Sequence, residues 1–225
     1  MKHYKNIRNI GVFVLIGFLG IGAPVALGQT NTQFNQTINP GVLSIGIVDS
    51  LYATVSSPAV TFGATNLSIV CQTTTGTLGT ASQQIYIQNP DGADNGWTVS
   101  IAGSAATSQW TGTGATFDFN DPTTAGCTDG ADIDTRPGQL TVNPTPGTIA
   151  VGRCLSCAIT NISKGSSAAF NQGTLDSITL LNAAAASNDI GDWRFTGVSL
   201  SQTIPPEQAV ASDYALPMVV SIVAN

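Results

Sequence analysis

The stretch NPDGADNGWTVSIAG, Asn89 to Gly103, decides how this chain is read. A cluster of turn-forming residues releases into a run in which Trp97, Val99 and Ile101 share one face and Thr98, Ser100 and Ala102 the other. A period of two with one apolar face is the pattern of a half-buried β-strand. Just upstream, Gln84-Ile85-Tyr86-Ile87-Gln88 alternates in the same way, so the two runs read as an antiparallel hairpin with a long loop.

Working outward, the same period recurs. Leu43, Ile45 and Ile47 share a face within Gly41 to Asp49, and Leu67, Ile69 and Cys71 are placed on a core face within Leu67 to Thr74. Val60 to Phe62 and Ala115 to Asn120 read as short strands, and Gly76 to Thr80 as a loop. Leu140 to Val142 and Thr148 to Val151 read as a hairpin around Asn143-Pro144-Thr145-Pro146-Gly147. Ile178 to Leu181, Trp193 to Ile204 and Tyr214 to Val223 complete the set, with Pro217 demanding an edge position or a bulge in the last. The only helix-prone run, Ala183 to Ala186, is one turn long and too short to hold alone. About ten short strands separated by Gly, Pro, Asn and Asp turns predict an all-β fold, an antiparallel β-sandwich in a single domain over 41–225.

The N-terminus has a different character. Lys2, Lys5 and Arg8 precede an apolar run from Gly11 to Ile21, and Ala26 and Gly28 stand at −3 and −1 of a cleavage before Gln29, the layout of a secretory signal peptide over 1–28. An uncleaved membrane anchor is the competing reading, because the apolar stretch nearly suffices to span a bilayer. Residues 29–40, QTNTQFNQTINP, are polar, Asn-rich and without periodicity, a flexible arm. Beyond the signal four basic residues, Arg136, Arg153, Lys164 and Arg194, face thirteen acidic ones, a balance of −9. Nucleic acid is therefore not an expected partner.

Cys71, Cys127, Cys154 and Cys157 all lie beyond the signal, and an even count in an exported chain predicts disulfides. Three pairings are open. Cys154-Leu155-Ser156-Cys157 also has the spacing of a redox or zinc CxxC. Yet a redox pair belongs at a helix start, and zinc needs further ligands that only the isolated Cys71 and Cys127 would offer.

The densest group of potential ligands is Asp118, Asn120, Asp121, Asp129, Asp132 and Asp134. Several carboxylates on one loop are what Ca²⁺ needs, although the spacing is not the twelve-residue helix-loop-helix pattern; the alternative is a solvated acidic loop pinned by Cys127. Trp110, set among Ser, Gln, Thr and Gly, is the candidate for an exposed sugar-stacking ring, while Trp97 and Trp193 are expected in the core. The one histidine, His3, falls in the signal, so no Ser-His-Asp or Cys-His site can form beyond it. Phosphate-binding glycine patterns do not occur. No enzymatic activity is expected.

Three stretches together resemble the WxL domain family, bacterial surface domains that associate non-covalently with peptidoglycan. Ser57 to Gly63 is similar to the family's early segment, Gly96-Trp97-Thr98-Val99 to its first motif strand, and Val198 to Met218 to its closing region. The motif positions are Trp97 and Val99, then Met218 and Val220, with Val99 where the family has Leu and Met218 where a second Trp is expected. The resemblance implies an extracellular β-sandwich held at the cell surface or cell wall, with wall polymer or other surface proteins as partners. No sorting motif precedes a hydrophobic tail, so retention at the surface is expected to be non-covalent. The alternatives are a self-assembling surface or filament subunit in which the N-terminal arm adds a strand to a neighbour, and a secreted carbohydrate-binding module using Trp110.

Overall fold

The computed structural model describes residues 33–92, 95–123, 126–130, 132, 135–185 and 190–225. The signal peptide and the first residues of the arm lie outside the described residues. The chain divides into two units, Met1–Ile38 and Asn39–Asn225, and every strand among the described residues belongs to the second.

Among the described residues the structure is built from strands alone. β1 (Ser44–Val48), β3 (Gln84–Asn89), β12 (Gly191–Thr196) and β8 (Thr148–Val151) form one sheet in that spatial order. A second sheet runs β10 (Ala168–Ala169), β7 (Gln139–Asn143), β13 (Val198–Ile204), β2 (Gln72–Leu78). The third runs β14 (Met218–Ala224), β4 (Trp97–Gly103), β11 (Ser177–Ala183), β9 (Ile162–Lys164), and β5 (Trp110–Gly112) with β6 (Ala115–Phe117) makes a small hairpin of its own. Every strand pair is antiparallel. The fold is an all-β antiparallel sandwich.

Its core follows from the alternation. Trp97, Val99 and Ile101 of β4 are buried while Thr98 and Ser100 are only half-buried on the other face. Trp97 meets Trp193 of β12 at 5.5 Å between ring centroids, which ties the third sheet to the first. Val142 and Leu200 bring the second sheet into the same apolar cluster. In β11 a shift of register between Thr179 and Leu181 lets the consecutive Leu180 and Leu181 both be buried. The opposite face of the third sheet is stitched by polar side chains, with the Ser100 and Ser221 hydroxyls 3.1 Å apart and Asn182 donating to the Thr98 hydroxyl at 2.9 Å.

Several expectations change once the sheets are seen together. Gln84 to Asn89 and Trp97 to Gly103 are not a hairpin: β3 pairs with β1 and β12, whereas β4 pairs with β11 and β14. The two strands lie in different sheets, and their apolar residues Ile85, Ile87, Trp97, Val99 and Ile101 meet in one core. Gly96 leads into β4. Its φ is +79°, and a Cβ there would lie 2.4 Å from the Ala183 carbonyl oxygen.

The Asn143 to Gly147 segment also crosses, from β7 in the second sheet to β8 in the first. Trp193 to Ile204 is two strands in different sheets, parted at Gly197. The expected core face of Leu67 and Ile69 is exposed instead. The strand there starts at Gln72 and runs through Gly76, since the register that pairs it along β13 extends from Gln72 to Leu78. Val60 to Phe62 is irregular, not a strand, and Ala183 ends β11. The closing strand begins at Met218, after Pro217, at the sheet edge that the proline predicts.

Candidate functional site

Trp110 opens β5, and its surroundings are built by three irregular segments packed over the second and third sheets. The β5–β6 hairpin is anchored at its tip by Asp213, whose carboxylate accepts from the Thr113 hydroxyl at 2.5 Å and the Thr113 N–H at 2.9 Å. These two donors hold the Asp213 carboxyl below its ordinary range. Thr111 and Ala215 exchange backbone hydrogen bonds of 2.9 and 3.0 Å, joining the hairpin to the segment before β14. The Tyr214 hydroxyl donates to the Ala209 carbonyl at 2.6 Å and accepts from Gln208 at 2.7 Å, closing that segment on itself.

Within this frame the Trp110 ring stacks on Phe117 at 5.7 Å and meets Phe62 edge-on at 5.3 Å. Its indole N–H donates to the side-chain carbonyl of fully buried Gln202 at 2.9 Å. Gln202 in turn donates to the Asp118 and Thr203 carbonyls. The 58–63 segment that carries Phe62 approaches closely because β2 has Gly76 beneath it, where a Cβ would lie 3.0 Å from Val60.

Two cavities of about 470 and 760 Å³ meet here, and Val60, Phe62, Trp110 and Tyr214 line both. Their sizes are those of ligand clefts. The smaller is walled by apolar side chains of β1 and β14, including Ile45, Ile47, Met218 and Val220. Gln72, Thr74, Gln202, Gln208 and Ser212 give the larger one a more polar wall. Trp110, the sequence's candidate ligand-binding ring, is half-buried at the junction of the two rather than an open platform.

The acidic loop turns two of its carboxylates onto its own backbone. Asp118 and Asp121 are both fully buried, and Asp129 is exposed. One Asp118 oxygen accepts from the Phe119 N–H at 2.7 Å. Asp121 accepts from the Thr123 N–H and hydroxyl at 2.7 Å each and from the Gly130 N–H at 3.2 Å, so its carboxylate serves as the hub of the loop's own turn. Asp132 is half-buried, and Asp134 lies outside the described residues. Among the described residues no three of these carboxylates converge within 4.8 Å. The loop is pinned by the disulfide between Cys127 and Cys71.

Cys154 and Cys157 form the second disulfide, on the segment after β8. Their sulfurs and an Asp192 carboxylate oxygen are the one group of three potential metal ligands among the described residues that lie within 4.8 Å of one another. Asp192, however, is committed to the loop itself. It accepts from the Arg153 N–H and the Cys154 N–H at 2.8 Å each, and from the Tyr86 hydroxyl. Burial pushes the Asp192 carboxyl up, but these donors and the nearby Arg153 guanidinium outweigh it and hold it below its ordinary range. Burial and the Asp192 hydrogen bond push the Tyr86 hydroxyl up. The Arg153 guanidinium donates to the Tyr86 oxygen at 3.0 and 3.2 Å and lies 5.0 Å from the centre of the Tyr52 ring. No sequence spacing connects Tyr52, Tyr86, Arg153 and Asp192, which four separate segments bring together.

Trp97 and Val99, which carry part of the family resemblance, are fully buried, while Met218 and Val220 on the neighbouring strand are half-buried and line the smaller cavity. Compared with models of known families, with curated proteins and with solved structures, the chain matches none of them.

Proposed function

We propose that this protein is a non-catalytic structural subunit of the cell exterior that associates with copies of itself through open sheet edges. The observation that carries the reading is β14. It is an edge strand, Met218 to Ala224 reads MVVSIVA without a charge or a proline, and Val219 and Val223 point outward into solvent. Edge strands of proteins that remain single copies are usually blunted by charge, proline or a bulge, because their unpaired backbone groups otherwise template pairing with another chain. The edge strands β1, β2 and β8 are equally free of charge. Two disulfides suit an oxidising compartment, in keeping with the signal-like N-terminus.

Sedimentation velocity and negative-stain microscopy of the chain from Gln29 onward test this. Assembly should grow with protein concentration, and Val219→Lys with Val223→Lys should return the protein to monomers with its fold intact. A wild-type chain that stays monomeric at high concentration overturns the proposal.

The larger cavity favours a second reading, association with wall polymer. Its glutamine, threonine and serine side chains beside Trp110 offer the mixture of hydrogen bonds and ring surface that sugars use. The resemblance to WxL domains points the same way. Co-sedimentation with purified peptidoglycan separates the two readings: pelleting that survives the two lysine substitutions supports wall binding, and a protein left in the supernatant excludes it.

A further inference from the structure

The Cys154–Cys157 disulfide spans only Leu155 and Ser156, and both flanks of that loop are fastened to β12 without the help of sulfur. The Gly152 N–H donates to the Asp192 carbonyl at 2.8 Å, and the Arg153 and Cys154 N–H groups donate to the Asp192 carboxylate, also at 2.8 Å. Beyond the loop, the Ala158 carbonyl accepts from the indole N–H of fully buried Trp193 at 2.9 Å. Neighbouring residues of one core strand therefore hold the chain on either side of the pair. Breaking the S–S bond removes none of these hydrogen bonds.

The surroundings suit the dithiol as well as the disulfide. The Cys157 sulfur lies 3.8 Å from the Ile190 carbonyl oxygen, an acceptor for the thiol once the bond is open. An Asp192 carboxylate oxygen lies within 4.8 Å of both sulfurs, and Gly191 has no side chain where a Cβ would overlap the Cys157 sulfur. Access is from outside: the two cysteines are half-buried, while Arg153, Leu155 and Ser156 are exposed. The other disulfide differs, because Cys71 and Cys127 stand 56 residues apart and opening it frees a long loop.

We infer that Cys154–Cys157 is an exchange site for dithiols, a two-electron couple that opens and recloses while the sandwich stays folded. A thiolate of the dithiol attacks one sulfur, the Cys154–Cys157 bond breaks as a mixed disulfide forms, and the other cysteine leaves as a thiolate and is protonated. The dithiol's second thiolate then attacks its own sulfur in the mixed disulfide, and the remaining cysteine leaves in turn. The pair gains two electrons and two protons, and the dithiol departs as a disulfide. The attacking thiolate is the partner's, so the pair does without the helix start that activates a thiol for attack. A monothiol fares differently. It has no second sulfur, and the freed cysteine, held beside the mixed disulfide by the Asp192 and Trp193 hydrogen bonds, displaces it and restores the original bond.

The test uses the chain from Gln29 onward, treated under native conditions with dithiothreitol or with reduced glutathione, quenched with iodoacetamide and mapped by peptide mass. Dithiothreitol should lead to labelling of Cys154 and Cys157 together, with the near-ultraviolet circular dichroism kept and the thermal midpoint lowered less than in Cys71→Ser with Cys127→Ser. At equal thiol concentration, glutathione should give at least about tenfold less labelling at these two positions. Once the reductant is removed, oxidised glutathione should restore the 154–157 pairing. The inference fails if Cys154 and Cys157 stay unlabelled until the near-ultraviolet signal is lost. A stable glutathione adduct on either cysteine also overturns it, since the two would then not stay in register, and so does reclosure onto Cys71 or Cys127.

Discussion

The indole N–H of Trp110 donates to the side-chain carbonyl of Gln202 at 2.9 Å, and that bond joins the surface hairpin to a fully buried glutamine of β13. A buried amide in a sandwich core is costly unless each end is satisfied, and here Trp110 satisfies the oxygen while two backbone carbonyls satisfy the nitrogen. Trp110→Phe keeps the ring contacts but leaves the Gln202 oxygen without this donor. It should lower unfolding free energy by about 1–3 kcal/mol in a denaturant titration. Trp110→Phe with Gln202→Leu should cost less than the sum of the two single changes, which a double-mutant cycle reads directly.

The two disulfides should contribute unequally. Cys71 and Cys127 are separated by 56 residues in sequence and Cys154 and Cys157 by 3. In the chain-entropy model the long loop is worth about 4 kcal/mol and the short one about 2. Cys71→Ser with Cys127→Ser should therefore lower the thermal midpoint more than the corresponding pair of changes at 154 and 157, as calorimetry of the two variants would show.

Acid should loosen the protein through Asp192 and Asp213. Both carboxyls are held below their ordinary range in the folded state. A group with a depressed folded pKa contributes stability that is fully present above its unfolded pKa, about 4, and that is lost as pH falls through the lower folded value. Stability should thus be flat from neutral pH to about 5 and fall below about 4. Asp192→Asn should cost stability at pH 7 and reduce the slope of stability against pH in the acid range, measured by denaturant titrations across pH.

Trp97 and Gly96 should be among the most sensitive positions of the sandwich. Trp97→Ala removes a fully buried ring that packs on Trp193 and should cost about 3–5 kcal/mol. Gly96→Ala requires a left-handed backbone for alanine and sets its Cβ against the Ala183 carbonyl, so it should destabilise although it adds one methyl group. Urea titrations of the two variants, with Trp97→Phe as the mild control, check the order.

Strand identity was readable from local alternation where one face of a strand is core and the other is wet, as in β4. The edge position of the last strand was readable too, because a proline cannot donate to a ladder. Alternation also misled. Leu67, Ile69 and Cys71 have the right spacing for a buried face, yet no strand pairs there, and the register along β13 sets the true strand five residues later than Leu67, from Gln72 onward.

Asn89 to Gly103 shows where the division lies. Its residues determine that Trp97 starts a strand, that Trp97, Val99 and Ile101 point inward, and that Gly96 supplies the turn before them. They do not determine which strand lies alongside, since the hydrogen bonds of a strand edge are the same whoever the neighbour is. Only the packed structure decides that β4 joins β11 and β14 across the core from β3. The same holds for the site. Each of Trp110, Met218 and Ile45 is visible in the sequence as an aromatic or apolar residue near a turn or an edge. That they border one cleft follows from three sheets closing on a shared core, a relation between distant segments that no local pattern encodes.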